Sequence, residues 1–307
     1  MPTSPDESRT GPDTTGRVNR AIDHIVTHLA DPLPLEVVAS VAHFSPFHFH
    51  RVFKAAMGET LGAFVKRVRL ERALMMLSRP PKRSLTDIAL ACGFGSSSDF
   101  SRSFKQRYGV PPSAFDLSTF RRERRGELEA LFDADPELRH RIARPPAGTN
   151  PDGFEVQFRD LPERVVAYRR ITDPFRPGVV DGAAADMERW ADARGLADGQ
   201  WLGYMWEDPE IVPLRDCRYD VGLVVDEVRA EGDIGRMVFP AMRVAEIQVR
   251  GPIDLEQRAL DWLFAEWLPG SRCVPDDQPC FEAWIGRPFA HGLEHFELHV
   301  QLPVVPS

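Results

Sequence analysis

No run of roughly 18 or more apolar residues occurs in the chain, and a membrane-spanning helix needs one. The opening stretch MPTSPDESRTGPDTTGR lacks the apolar core of a secretory signal. A cytoplasmic protein without membrane contact is therefore expected. Cysteine is scarce: Cys92, Cys217, Cys273 and Cys280 form no CxxC pair, which argues against a disulfide framework or a zinc ribbon. No GxGxxG, P-loop, GxSxG or HExxH pattern is present, so no cofactor is expected. His291, His295 and His299 recur every fourth residue, a spacing that would align metal ligands on a helix. His299, however, sits in the strand-like FELHVQLPV. Positions four apart in a strand lie roughly 13 Å from each other, and no metal site is expected.

Lysine is absent from residues 151–307, which carry 16 arginines against 29 acidic residues. Residues 17–125 hold 18 Lys and Arg against 9 Asp and Glu. The net charge of −8 over 307 residues is thus a sum of two opposed modules, and it excludes no nucleic-acid partner. Composition and pattern divide the chain into four parts. Residues 1–16 read as a disordered tail and 17–116 as an all-α module. Residues 117–150 read as a short helix and a Pro/Gly linker. Residues 151–307 read as an α+β domain of two pseudo-symmetric strand-helix-strand-strand halves.

Each module repeats internally. RVFKAAMG (from Arg51) recurs as RSFKQRYG (from Arg102), and Phe49 pairs with Phe100 at the same offset. In the first copy, a short helix carrying Val37, Val38 and Val41 meets a turn at Ala42–Phe44. Ser45 then suits an N-cap and Pro46 a first helical position. Phe49, Val52, Phe53 and Ala56 form the expected buried stripe. Phe47, His48, His50, Arg51 and Lys54 are left on the outer face. In the second copy Gly93 supplies the turn and Ser96 or Ser97 the cap. Phe100, Phe104 and Tyr108 face inward, and Ser97, Ser98, Asp99, Ser101, Arg102 and Lys105 face outward. Helix, tight turn and a second helix with a polar face make a helix-turn-helix. Between the copies, Thr60–Ser78 reads as one helix of roughly 27 to 29 Å. Successive major-groove faces of a duplex lie about 34 Å apart, so one chain can grip two of them.

The stretch ACGFGSSSDFSRSFKQRYGVPPSAF, Ala91 to Phe115, resembles the DNA-binding domain of the bacterial AraC/XylS transcription regulators. The resemblance covers Arg17 to about Asp116. It implies double-stranded DNA as partner, with base edges met by Phe47, His48, His50 and Arg51, and by Ser97, Ser98, Asp99, Ser101 and Arg102. Arg51 and Arg102 are the candidates for guanine or phosphate. Lys54 and Lys105 would hold phosphates. One departure is His43, where the first turn of the family usually has Gly.

In the second module RVVAYRRITDP (from Arg164) parallels RVAEIQVRGPI (from Arg243), and YDVGLVV parallels FELHVQL. Strands are expected over 154–159, 164–172, 200–206, 218–226, 242–249, 279–285 and 294–302. Helices are expected over 180–194, with Met187 and Trp190 inward, and over 254–267, with Leu255, Leu260, Leu263 and Phe264 inward. The alignment sets Gly203 against Glu282, so a carboxylate stands in one half only. Around it the sequence suggests Trp201, Tyr204, Trp206, Phe281 and Trp284. A negative charge among aromatic faces suits a cationic amphipathic ligand; alternatively these rings are core and Glu282 a solvated strand residue.

RYDVGLVV, Trp267-Leu268 and FEAWIG resemble the gyrase-inhibitor-like (GyrI-like) effector-binding domain over residues 154–305. That resemblance implies a small-molecule effector, hydrophobic or cationic, with Glu282 on the position of a pocket glutamate. Trp284 stands where the family commonly has Tyr. Together the two resemblances imply a one-component transcription regulator, not an enzyme, with RNA polymerase as a possible further partner. The effector would act through residues 117–150. Two alternatives stay open: a hydrolase of reactive small electrophiles using Glu282 as general base, and a protein-interaction module.

Overall fold

A computed structural model of the chain describes residues 12–78, 83–133, 148–292 and 294–307. Residues 1–11 of the expected tail lie outside these, as do residues 134–147 of the expected linker. The tail reading is corrected at its end, because helix α1 spans Pro12–Thr27. Its stripe Val18, Ala21, Ile22 and Ile25 is buried, and that amphipathic pattern extends the helix into a segment whose composition alone looked disordered.

The described chain divides into two units. The first holds α1 and five further helices, with the short segment Arg229–Gly235. These are α2 (Leu35–Val41), α3 (Pro46–Met57), α4 (Leu61–Ser78), α5 (Leu85–Ala91) and α6 (Ser97–Tyr108). Helices α2–α3 and α5–α6 are the two helix-turn-helix copies. Each has an aromatic core: Phe49 packs on Phe53 and Phe53 on Phe64, and Phe100 on Phe104 and Phe104 on Phe115. Val52 is only half-buried and Ala56 is exposed, so the first stripe is narrower than the spacing suggested. Helix α4 joins the copies. Arg69 on α4 donates to the carbonyls of Leu29 (3.0 Å) and Asp31 (2.7 Å). Arg67 is held between Glu59 and the buried Glu71.

The second unit begins at Asp116 with α7, Leu117–Asp133. Strands β1 (Gln157–Leu161) and β2 (Arg164–Thr172) come next, then α8 (Val179–Asp192), β3 (Trp201–Met205) and β4 (Arg218–Val225). After these lie β5 (Ile234–Phe239), β6 (Met242–Gly251) and α9 (Ile253–Trp262). Strands β7 (Cys273–Pro275), β8 (Phe281–Trp284) and β9 (Phe296–Pro306) close the chain. The sheet order is β1-β6-β9-β8-β3-β4-β2-β5, with β7 added on β9. The order is palindromic in the repeat: β5, β2, β4, β3 on one side mirror β1, β6, β9, β8 on the other. The sequence reading missed β5 and β7. β5 is the repeat mate of β1, which the offset between the halves could have revealed.

Helix α8 lies against β2 and β4, and α9 against β6 and β9. Met187, Ala183, Ala184 and Ala191 are the buried residues of α8, while Trp190 is half-buried under Arg194. The expected inward face of α9 needs correction. Glu256, Ala259 and Leu263 are buried, whereas Leu255 and Leu260 are half-buried and Phe264 is 43% exposed. Two causes shift the face. A buried carboxyl is read as polar and assigned outside, and a π-helical turn at Leu263–Trp267 inserts a residue and rotates the helix beyond it.

Candidate functional site

The two recognition helices are set by matching local chemistry. Ser45 Oγ accepts from His48 N at the start of α3, and Ser96 Oγ from Asp99 N at the start of α6. The turns before them are the same turn. His43 N donates to Ser40 O and Phe44 N to Ala39 O; Gly93 N donates to Leu90 O and Phe94 N to Ala89 O. Both turns need a positive φ, which is 55° at His43 and 79° at Gly93. At Gly93 the position is closed sterically as well: a Cβ there would meet Leu29 O at 2.5 Å and Arg69 Nη2 at 2.7 Å. His43 therefore adopts the geometry that Gly serves in the second copy.

With these starts fixed, Phe47, His48, His50, Arg51 and Lys54 are all exposed on α3. Phe47 is 76% exposed, unusual for a ring in the first turn of a packed helix. On α6, Ser98, Asp99, Arg102 and Lys105 are exposed, and Ser97 and Ser101 are half-buried. None of the four basic side chains has an ion pair among the described residues, unlike Arg67 on α4.

The second candidate site divides. Strands β3 and β8 pair with Leu202 opposite Ala283, Gly203 opposite Glu282 and Tyr204 opposite Phe281. Paired residues share a face and neighbours alternate. Tyr204 and Phe281 therefore lie on one face, and Glu282 on the other. Trp206 joins the first group. Tyr204, Trp206, Phe239 and Phe281 pack together with centroids 4.9 to 6.2 Å apart. Trp206 Nε1 donates to Asp220 (2.9 Å), itself paired with the buried Arg170. These are core rings, with Phe239 the member that the sequence reading missed.

Trp201 and Trp284 share the alternation of Glu282. Trp201 is buried, its Nε1 donating to Ala197 O (2.9 Å). Trp284 packs on Phe289 and Phe296. The side chain in direct contact with Glu282 is one that the sequence reading did not name: Tyr219 Oη donates to Glu282 Oε2. Tyr219 lies on β4, opposite Met205. The strand between it and Glu282 is crossed at Gly203, where a Cβ would land on Tyr219 Oη and press on Glu282 Oε2. The one-sided carboxylate of the repeat thus requires glycine at its mate. Tyr219 is buried and Glu282 half-buried. Burial raises the Glu282 carboxyl from 4.5 to about 7, against the opposing effect of the Tyr219 hydrogen bond. Burial, then the charge of Glu282, pushes the Tyr219 phenol above its ordinary range. Glu256 on α9 is buried beside them, its carboxyl also pushed up by burial and by Glu282.

A third cluster ties α7 into the second unit. Arg125 is buried and pairs with Glu210 (3.1 Å) and with both oxygens of Asp261 on α9 (3.2 and 3.0 Å). Arg121 pairs with Asp208 (2.5 Å). Burial works against the Arg125 charge, but Asp261 and Glu210 outweigh it and raise its pKa. Among the described residues no group of three or more His, Cys, Asp or Glu could hold a metal ion. His291 and His295 instead lie beside Glu297. No described helix is long and apolar enough to cross a membrane.

Tandem helix-turn-helix units in one part of a chain and a duplicated antiparallel sheet in the other define a two-module protein. Residues 38–118 match the helix-turn-helix domain family, and residues 154–305 match the GyrI-like small molecule binding domain. The chain joins an AraC-type helix-turn-helix domain to a GyrI-like domain. It is 32% identical over 127 residues to the transcriptional regulator Rob of Salmonella typhimurium, covering 41% of each chain. It is 36% identical over 98 residues to the uncharacterized HTH-type transcriptional regulator YbfP of Bacillus subtilis, covering 32% of this chain and 33% of that one. The chain therefore spans only a third to two fifths of the length of these relatives. The crystal structure of the EcmrR C-terminal domain is 17% identical, with a TM-score of 0.39, covering 50% of this chain and 99% of that one.

Proposed function

We propose that the chain is a one-component transcription regulator whose second domain senses a small hydrophobic or cationic molecule. The observation that carries the DNA half is the pair of matching turns presenting Arg51 and Arg102 at equivalent, exposed positions with no ion pair among the described residues. The linking helix α4 has 18 residues, about 27 Å, which supports placement of both recognition helices in successive major grooves. Phe47 is suited to a thymine methyl and the two arginines to guanine. Lys54 and Lys105 are suited to phosphates.

The test uses a duplex enriched from a random library by the full chain. Arg51→Ala and Arg102→Ala should each weaken binding about 5- to 150-fold, the scale of one lost bidentate base contact. Unchanged affinity and unchanged sequence preference in both variants would remove this reading.

The effector half rests on the half-buried carboxyl of Glu282, held by Tyr219 across Gly203. Burial disfavours its ionised form, and no basic partner stands beside it among the described residues. A ligand cation supplies what is missing. Helix α7, clamped through Arg125 to α9, is the element through which occupancy of that site would reach the DNA-binding helices.

A second reading draws on the same geometry. A carboxyl that titrates near 7 beside a phenol fits general acid-base work. Glu282 would take a proton from water as the water oxygen bonds to a strained electrophilic carbon, then return it to the leaving atom. Turnover that disappears in Glu282→Gln, with binding retained, would favour this reading over sensing alone.

A further inference from the structure

Five acidic residues are buried among the described residues: Glu71, Glu207, Asp220, Glu246 and Glu256. Four have partners that account for their burial. Glu71 pairs with Arg67, Glu207 with Arg218 and Asp220 with Arg170. Glu246 accepts from Gln301 (2.6 Å). Glu256 is the exception. Its Oε2 is buried without a hydrogen-bond partner, and the charge that acts on it is that of Glu282. It projects from the inward face of α9, where the chain could have placed an apolar residue beside Ala259 and Leu263.

A buried acceptor without a donor is destabilising, and a buried charge without a partner is more so. Two neighbouring carboxyls also resist double ionisation, so one keeps its proton. The site therefore has room for one positive charge. With the Tyr219 hydroxyl and the retained carboxyl proton as donors, it still has more acceptor atoms than donors. Glu282 retains some solvent exposure and Glu256 is 4% exposed, so an incoming group meets Glu282 first.

We propose that Glu256 is a second ligand-contacting carboxyl of this site, and that the pair selects a monocation with several N–H donors. An amidinium or guanidinium on an aromatic body meets that description; a quaternary ammonium of equal charge does not. The inference rests on the reading of Glu282 as the effector site. A planar cation with N–H groups on two edges can donate to Glu282 and Glu256 together. A quaternary ammonium neutralises Glu282 but leaves Glu256 Oε2 without a donor. Tyr219 and Cys280 complete the surroundings, and neither brings positive charge.

The test compares two matched probes, 4-phenylbenzamidine and biphenyl-4-yl-trimethylammonium, titrated calorimetrically into the full chain. The wild type should bind the amidinium at least tenfold more tightly. Glu256→Met replaces a buried acid with an apolar side chain of similar length and should raise the melting temperature, so loss of fold does not confuse the result. In it the amidinium preference should fall to within threefold while quaternary binding is unchanged; Glu256→Gln should also reduce the preference. Glu282→Gln should weaken both probes. Equal binding of the two probes by the wild type, or a preference that survives in Glu256→Met, overturns the role of Glu256 while leaving Glu282 as the site. Glu282→Gln that weakens neither probe, or no binding to the wild type at millimolar concentration, overturns the effector site as well.

Discussion

Gly93 and His43 occupy the same place in two copies of one turn, yet their surroundings give them different tolerance. Gly93 combines a positive φ with backbone and guanidinium atoms inside contact distance of any Cβ. Gly93→Ala should cost about 2 kcal/mol or more, read by thermal denaturation of the full chain. His43→Gly should be neutral or slightly stabilising, because relief of the left-handed backbone offsets the added freedom of the unfolded chain. At Glu282 the prediction concerns pH. Its folded pKa of about 7 lies above the ordinary 4.5, so the folded state binds its proton more tightly than the unfolded state. That contribution is complete below about pH 4.5 and is lost as pH rises through 7. The loss is on the order of 3 kcal/mol, with Glu256 acting in the same direction. Glu282→Gln should flatten the decline in stability between pH 5 and pH 8. A stability that rises across this window in the wild type would contradict the assignment. The residues legible in the sequence were those whose role comes from local pattern, such as Ser45, Ser96 and Gly93. Tyr219 and Glu256 were not legible, because Tyr219 reaches Glu282 across the intervening strand β3 and Glu256 stands on helix α9, and no local pattern relates either to β8.

Helices and strands were easier to read than the relations between them. The spacing of Phe49 and Phe53, and of Phe100 and Phe104, located α3 and α6 because a buried aromatic stripe at helical period has one reading. The aromatic positions of β3 and β8 were misgrouped because period-two alternation says which residues share a face only within one strand. Alternation along β8 already puts Phe281 and Glu282 on opposite faces; Tyr204 and Trp206 are separated from Glu282 by the β3–β8 register, in which Gly203 stands opposite Glu282. Helix α7 was read as part of a linker; its residues Arg121 and Arg125 are instead ion-paired in the second unit. Removing Arg125 takes an ion pair from Glu210 and a two-pronged one from Asp261 in a largely buried setting. Arg125→Ala should therefore destabilise the second domain by about 3 kcal/mol, detectable as a lowered melting transition. It should spare intrinsic DNA affinity while reducing the effect of ligand upon it. An unaltered response to ligand in Arg125→Ala would exclude α7 as the connecting element.

The charge of the whole molecule obeys the same division. Residues 17–116 alone hold 14 basic and 8 acidic residues, a smaller excess than residues 17–125 suggest, since the four arginines of 121–125 belong to α7. The basic residues there include the exposed Arg51, Lys54, Arg102 and Lys105 of the two recognition helices. DNA binding should weaken steeply with salt, the logarithm of affinity falling linearly with the logarithm of salt concentration. Each of Lys54→Ala and Lys105→Ala should lower that slope by about one. The second domain is acidic and holds no lysine, in keeping with the cationic ligand proposed for it. The central claim is that occupancy of the Glu282 site alters the grip of α3 and α6 on DNA. The most direct measurement is the affinity of the full chain for its enriched duplex, with the site empty and saturated by 4-phenylbenzamidine. Coupling of about 1 to 3 kcal/mol predicts a shift of roughly 5- to 150-fold, absent in Glu282→Gln. The same affinity with and without saturating ligand would contradict the account.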